Sequence, residues 1–212
     1  MKKYGAFPVV LLTLACLTAC GGRSPQPKYY LLGEEQPVAG SLRGDSPAVV
    51  LRQASLPSYL DRDALVLRSG GAVQITVAEY HLWAEPLRRA VPRLLEEIMR
   101  PLLLEKGLNL LWPDAAEAAL QMDVAFLRLD GAPGGAAGIS ARWRMLGREG
   151  ALLAQGLFTK EIDAGDSHES MVRALSRLLA DFGRELAQAA DSAYERPTVQ
   201  KSGGTGKKEK ER

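Results

Sequence analysis

The sequence predicts an α+β domain: a mixed, largely antiparallel sheet with two long helices packed on one face. Three observations point there. Short segments alternate apolar and polar residues, as where Val73, Ile75 and Val77 interleave with Gln74 and Thr76, the period of a half-buried strand. Two longer segments repeat apolar residues at three and four, the stripe of an amphipathic helix. Residues 28–194, between an apolar leader and a polar tail, make one domain's length, and a sheet of that size is most economically covered by both helices on one side.

The elements follow in order. Tyr29–Leu32 reads as a strand and "GEEQPVAGSLRGDSP" as a loop; Val49–Arg52 is a second short apolar run. A hairpin comes next, with arms Ala64–Arg68 and Ala72–Glu79 about a Ser69-Gly70-Gly71 turn. In "AEPLRRAVPRLLEEIMRPLLLEKG" the residues Leu87, Val91, Leu94, Leu95 and Ile98 form one stripe. Pro86 suits a first helical turn, where its missing N–H costs nothing. Pro92 removes an interior hydrogen bond, at about 3 kcal/mol, which predicts a kink there and weakening or termination near Pro101. Gly107 fits a helix stop.

Three more strands are expected. Met122, Val124 and Phe126 share a face of Gln121–Leu129. Along Ile139–Met145, Ile139, Ala141, Trp143 and Met145 share another, while Ser140, Arg142 and Arg144 point away. Leu152–Ile162 completes an antiparallel meander with one wet face. The last helix begins where Asp166 and Glu169 resemble a capping box and buries Met171, Leu175, Leu178, Phe182 and Leu186.

Residues 1–19 have a positive start (Lys2, Lys3), an apolar run from Ala6 to Leu17 and small residues before Cys20. That is the pattern of an export signal, and the run is shorter than the ~20 apolar residues of a membrane span. Leu17-Thr18-Ala19-Cys20 resembles the lipobox of bacterial lipoproteins, with Cys20 the lipid-attachment residue; Cys16, with Thr13 at its −3 position, fits worse. The mature chain then starts at Cys20, has a lipidated linker over 20–27, and keeps no free thiol. A disulfide framework would need cysteines spread along the mature chain. Several acyl chains anchor almost irreversibly, at ~0.8 kcal/mol per buried methylene. By the same resemblance, Gly21-Gly22 after the cysteine favours the outer membrane, since Asp there marks inner-membrane retention in proteobacterial lipoproteins. The tail 195–212, "ERPTVQKSGGTGKKEKER", is basic and poor in apolar residues, so it should be disordered; it is read as a solvated tail, with contact to an anionic lipid surface as the alternative.

The chain carries 27 Lys+Arg against 25 Asp+Glu, a balance that argues against a nucleic-acid binder. Its two histidines are His81, beside Trp83 and Glu85, and His168 in the first turn of the last helix. His81 and Glu85 have the types for an acid and its orienting group, but an imidazole at a strand-to-helix junction is the simpler reading, and no Gly-x-Ser-x-Gly elbow appears. Asp61 and Asp63 flank Arg62 and are too few for a cation site. "GGAAG" lacks the strand-before, helix-after setting of a phosphate loop. Trp83 and Trp143 read as core or core-edge packing, with lipid or a partner as the alternative. No catalytic residue, metal ligand or cofactor is assigned.

"KYYLL", "LPSYLDRDALVLRSGGAVQITVAEYHLWAEPL" and "ISARWRML" together resemble the ABC-type transport auxiliary lipoproteins, a PqiC-like family. Leu56 to Leu87 carries most of the specificity. The prolines at 92 and 101 depart from the family's helix. The resemblance implies no enzyme but an outer-membrane lipoprotein whose domain faces the periplasm beside an MCE-domain protein, in a system that moves lipids between membranes. It also implies docking to that partner by a sheet edge or a helix face, with several copies around it. An auxiliary subunit of an ATPase-driven MCE transporter has the same features, and a structural envelope-assembly lipoprotein is the reading from another class.

Overall fold

Apolar stripes of two periods can share one core only if the sheet lies under the helices, and the computed structural model has that arrangement. It describes residues 25–33, 46–69, 71, 73–111 and 118–195. Cys20 and the tail from residue 196 lie outside the described residues. Among those described, no helix is long and apolar enough to cross a membrane.

The strands are β1 (Lys28–Tyr30), β2 (Ala48–Ser55), β3 (Ala64–Leu67), β4 (Thr76–Trp83), β5 (Asn109–Leu111), β6 (Leu120–Gly131), β7 (Ala136–Leu146) and β8 (Leu152–Asp163). The helices are α1 (Leu87–Glu105) and α2 (His168–Glu195). β6 is the trunk of the sheet. On one side the meander β6-β7-β8 runs antiparallel, as its alternation predicted. On the other side β6 pairs in parallel with β2 along its first half and with β3 at Gly131. β5 extends the sheet beyond β2, and β4 and β1 extend it beyond β3.

α1 runs unbroken through both Pro92 and Pro101 to Glu105, so the expected end near Pro101 is corrected. Its buried stripe of Leu87, Ala90, Val91, Leu94, Leu95, Met99 and Leu103 outweighs two missing hydrogen bonds, since each fully buried Leu-sized side chain contributes ~1.5–3 kcal/mol. The stop is at Gly107, with φ 73°. There the Leu108 N–H bonds the Leu103 carbonyl at 2.8 Å and the Gly107 N–H bonds that of Leu104 at 3.1 Å, a Schellman cap. The second hairpin arm also shifts. It begins at Thr76 and extends to Trp83, because β1 pairs with its far end, Lys28 with His81 and Tyr30 with Trp83. The cap of α2 lies one residue later than expected: Ser167 Oγ accepts the Ser170 N–H and Ser170 Oγ accepts the Ser167 N–H, both at 3.0 Å. Glu169 instead pairs with Arg173 one turn on.

The core lies between the sheet and the two helices. Phe182 of α2 meets Phe126 edge-on, with centroids 5.8 Å apart, and stacks on Phe158 at 5.1 Å. Gly183 lets the helices close, since a Cβ there would come within 2.7 Å of Ile98 Cγ2.

Candidate functional site

The residues that the sequence singled out for chemistry are dispersed or re-paired. His81 does not meet Glu85, whose carboxylate pairs with Arg93 of α1. His81 stacks instead on His168, with centroids 3.6 Å apart and planes 14° from parallel, and its Nδ1 shares a 2.7 Å hydrogen bond with the Tyr30 hydroxyl. Burial first, then the charges of His81 and Lys28, hold the His168 imidazole below its ordinary value. Lys28, Tyr29, Tyr30, Ser167 and Glu169 complete a shallow recess of about 380 Å³ around the pair. The stacked pair and its bond to Tyr30 clasp β1 and β4 to the start of α2. Asp61 pairs with Arg88 at 2.9 Å. Among the described residues no three His, Cys, Asp or Glu side chains gather as a metal site. Trp83 is buried, and Trp143 donates its indole N–H to Glu185 at 3.1 Å.

The larger concavity is on the face away from the helices. Two β-bulges shape it. In β2 the register slips across Arg52, between Leu51 and Gln53; in β6 it slips across Leu127, between Phe126 and Arg128. A bulge inserts a residue and re-aims its side chain. Arg52 thereby reaches Asp123 on the neighbouring strand, its Nε donating to Oδ1 at 2.8 Å and its Nη2 to Oδ2. Arg144 of β7 donates its Nε to the same Oδ2 at 2.9 Å. Arg52, with Arg144 in support, holds the Asp123 carboxyl below its ordinary range against the opposing effect of burial. One carboxylate thus joins β2, β6 and β7 from outside.

Around that join lies an open groove of about 700 Å³, lined among others by Gln53, Leu127, Arg142, Arg144, Gln155 and Leu157. Leu127 and Leu157 are 45% and 62% exposed. Arg142 has no ionic partner among the described residues. The outward direction of Arg142 and Arg144 was legible from their alternation. That Arg52 and Asp123 belong to the same surface was not, because it depends on the parallel pairing of β2 with β6. Beside the groove, β8 has β7 on one side and no strand on the other among the described residues.

A family model described as ABC-type transport auxiliary lipoprotein component matches residues 30–187. Of solved structures, a crystal structure of an uncharacterized protein is 22% identical, with a TM-score of 0.61, and the match covers 78% of this chain and 99% of that one. A crystal structure of a Xanthomonas campestris protein of the family-model DUF330 is 15% identical, with a TM-score of 0.58, covering 79% of this chain and 94% of that one. At these identities the two likenesses speak for the fold. No curated protein matches.

Proposed function

Because the chain belongs to the family of ABC-type transport auxiliary lipoprotein components, we propose that it is the outer-membrane lipoprotein of an MCE-type intermembrane lipid transport system. In this reading it holds the periplasm-spanning MCE protein at the outer membrane. The family makes it a membrane-associated lipoprotein component of transport and points to a non-enzymatic role. The observation that carries the finer reading is one chain combining the lipobox-like Leu17-Thr18-Ala19-Cys20 with a family domain from residue 30 to 187.

The work is then anchoring and docking. Acyl chains on Cys20 hold the N-terminus in the outer leaflet's partner layer, and at most about 28 Å of extended chain leads from there to Lys28. β1 enters the fold beside the His81–His168 clasp, so the strand nearest the anchor is fastened to both the sheet and the long helix. The opposite edge of the sheet is left for a partner. The family description as ABC-type favours a second reading, in which an ATPase drives the same kind of MCE transporter.

Affinity capture of the full-length lipoprotein from gently solubilised membranes, with partners identified by mass spectrometry, tests this. An MCE-domain protein in stoichiometric amount is the expected result, and an ATPase alongside it selects the second reading. Bait alone, or bait with assembly factors only, would overturn both.

A further inference from the structure

We propose that the free edge of β8, over Leu152 to Phe158, takes an extended segment of the transport partner by strand addition, and that this segment alternates apolar with acidic residues. The inference rests on the docking reading above and names its surface and the chemistry of its occupant.

The first observation is how unevenly the edge is guarded. Exposed sheet edges are normally blunted by charge. In β8 the charges fall in the last third, at Lys160, Glu161 and Asp163. Lys160 is tied to Asp181 of α2 at 2.6 Å, and Glu161 to Arg128. The stretch from Leu152 to Thr159 has no charged residue. A second strand could hydrogen-bond there without displacing an ion pair.

The second observation is the charge beside it. Leu157 lies opposite Arg142 in β7, and Gln155 opposite Arg144. Around the groove stand three guanidinium groups, Arg52, Arg142 and Arg144, and one carboxylate, Asp123, which pairs with Arg52 and Arg144, so this surface is positive in excess. A strand laid along β8 puts alternate side chains on the same face as Gln155 and Leu157. Arg142 and Arg144 stand two strand spacings away, roughly 9–10 Å, a gap that a guanidinium and a carboxylate side chain span together. Acidic residues there would meet Arg142 and Arg144, and the apolar residues between them would fall on the other face, beside Ala154 and Phe158, which pack against the core. Main-chain hydrogen bonds supply affinity in this mode, and the alternate side chains supply register. A basic or uniformly apolar segment leaves Arg142 without a counter-charge.

Photo-crosslinking in cells tests it on the full-length chain, with a photoreactive residue at Leu157 and, as a control, at Tyr194, which is exposed on α2. The expected result is a crosslink from position 157, and not from 194, to an MCE-domain protein, mapped by peptide sequencing to a segment alternating acidic and apolar residues. Arg142→Glu should weaken that crosslink about tenfold, the scale of reversing a charge at an interface rim, and a thermal melt equal to wild type shows the variant is folded. Gln155→Glu, which adds a like charge on the same face, should act in the same direction. A crosslink to an MCE protein from 194 alone overturns this surface and leaves the transport reading standing. A crosslink from 157 to a second copy of this chain, or to lipid, also overturns it. An acidic–apolar strand from a protein outside any MCE system keeps the surface and overturns the transport reading.

Discussion

The Tyr59 hydroxyl donates to Asp130 Oδ2 at 2.8 Å, and the Asp130 side chain has no exposed surface. This bond joins the 3₁₀ turn Ser58–Leu60 to the end of β6, 71 residues on. Arg128 Nε donates to the other carboxylate oxygen at 2.7 Å. Arg68 Nε is 3.2 Å from Oδ2, an ion pair whose angle does not make a hydrogen bond, and its guanidinium sits 5.3 Å over the Tyr59 ring. The Leu-Pro-x-Tyr stretch that carried the family resemblance is therefore a structural latch.

Removing one partner of a buried ionic cluster strands the others, which costs about 3–5 kcal/mol, whereas losing one hydrogen bond to a charged group costs about 1.5–3. Asp130→Ala should thus be more destabilising than Tyr59→Phe, measured by urea unfolding. Burial, then the bond to Asp130, pushes the Tyr59 phenol up to about 12. Its proton is held more tightly in the folded state, so the associated stability is intact below pH ~10 and is lost as pH rises toward 12. Ultraviolet titration should show a tyrosine ionising near 12 that Tyr59→Phe removes, while Tyr30, also raised by burial, remains.

Gly183→Ala should lower stability by about 1–3 kcal/mol, the usual cost of overpacking. At an open helical site the same change would gain up to ~1 kcal/mol, so the sign alone is diagnostic. Here the added methyl meets Ile98 Cγ2 at 2.7 Å. Combining it with Ile98→Ala should cost less than the sum of the two single changes, and strict additivity in a double-mutant cycle would show that the helices do not touch there.

The histidine clasp gives a pH dependence. His168 titrates below its ordinary 6.5, so the unfolded chain binds the proton first. Stability is full above pH ~6.5 and declines as pH falls through the folded-state value. Tyr30, Lys28 and Glu169 border the pair. Urea midpoints at pH 7.5 and 5.0 should differ in wild type and differ less in His168→Gln; an unchanged difference would remove the clasp as its source.

Asp123→Asn keeps the shape of the outer join and removes its charge. With Arg52 44% exposed at the side chain, solvent screening limits the loss, and about 1–2 kcal/mol is expected from the hydrogen bonds to a charged group. The depressed carboxyl makes wild type's advantage present above pH ~4 and lost as pH falls through the folded-state value. Thermal melts at pH 7 and pH 3 check this, and the gap between the two proteins should narrow at the lower pH.

Cys20→Ser should release the domain from the membrane with its fold unchanged, since without acyl chains nothing comparable to ~0.8 kcal/mol per methylene holds it there. Fractionation after a salt wash reads this directly, and a variant that stays with the membranes counts against simple acyl anchoring.

The α+β class, the meander, both helices and the wet face bearing Arg142 and Arg144 were legible in the sequence alone. Each is a statement about which side of one element is buried, and burial imposes a local period of 3.6 or 2. The alternation of Met122, Val124 and Phe126 is that period written in residues. What only the tertiary structure decided is which distant elements meet. β5 is three residues long, too short to show a period, and exists as a strand because β2 lies beside it. His81 and Trp83 are strand residues because β1 pairs with them, His81 finds His168 rather than Glu85, and α1 survives two prolines because the sheet holds its apolar face. Arg52 and Asp123 likewise form one surface only through parallel pairing across 71 residues. Such contacts come from the packing of the whole chain, where small propensities are outweighed by the burial that a neighbour provides.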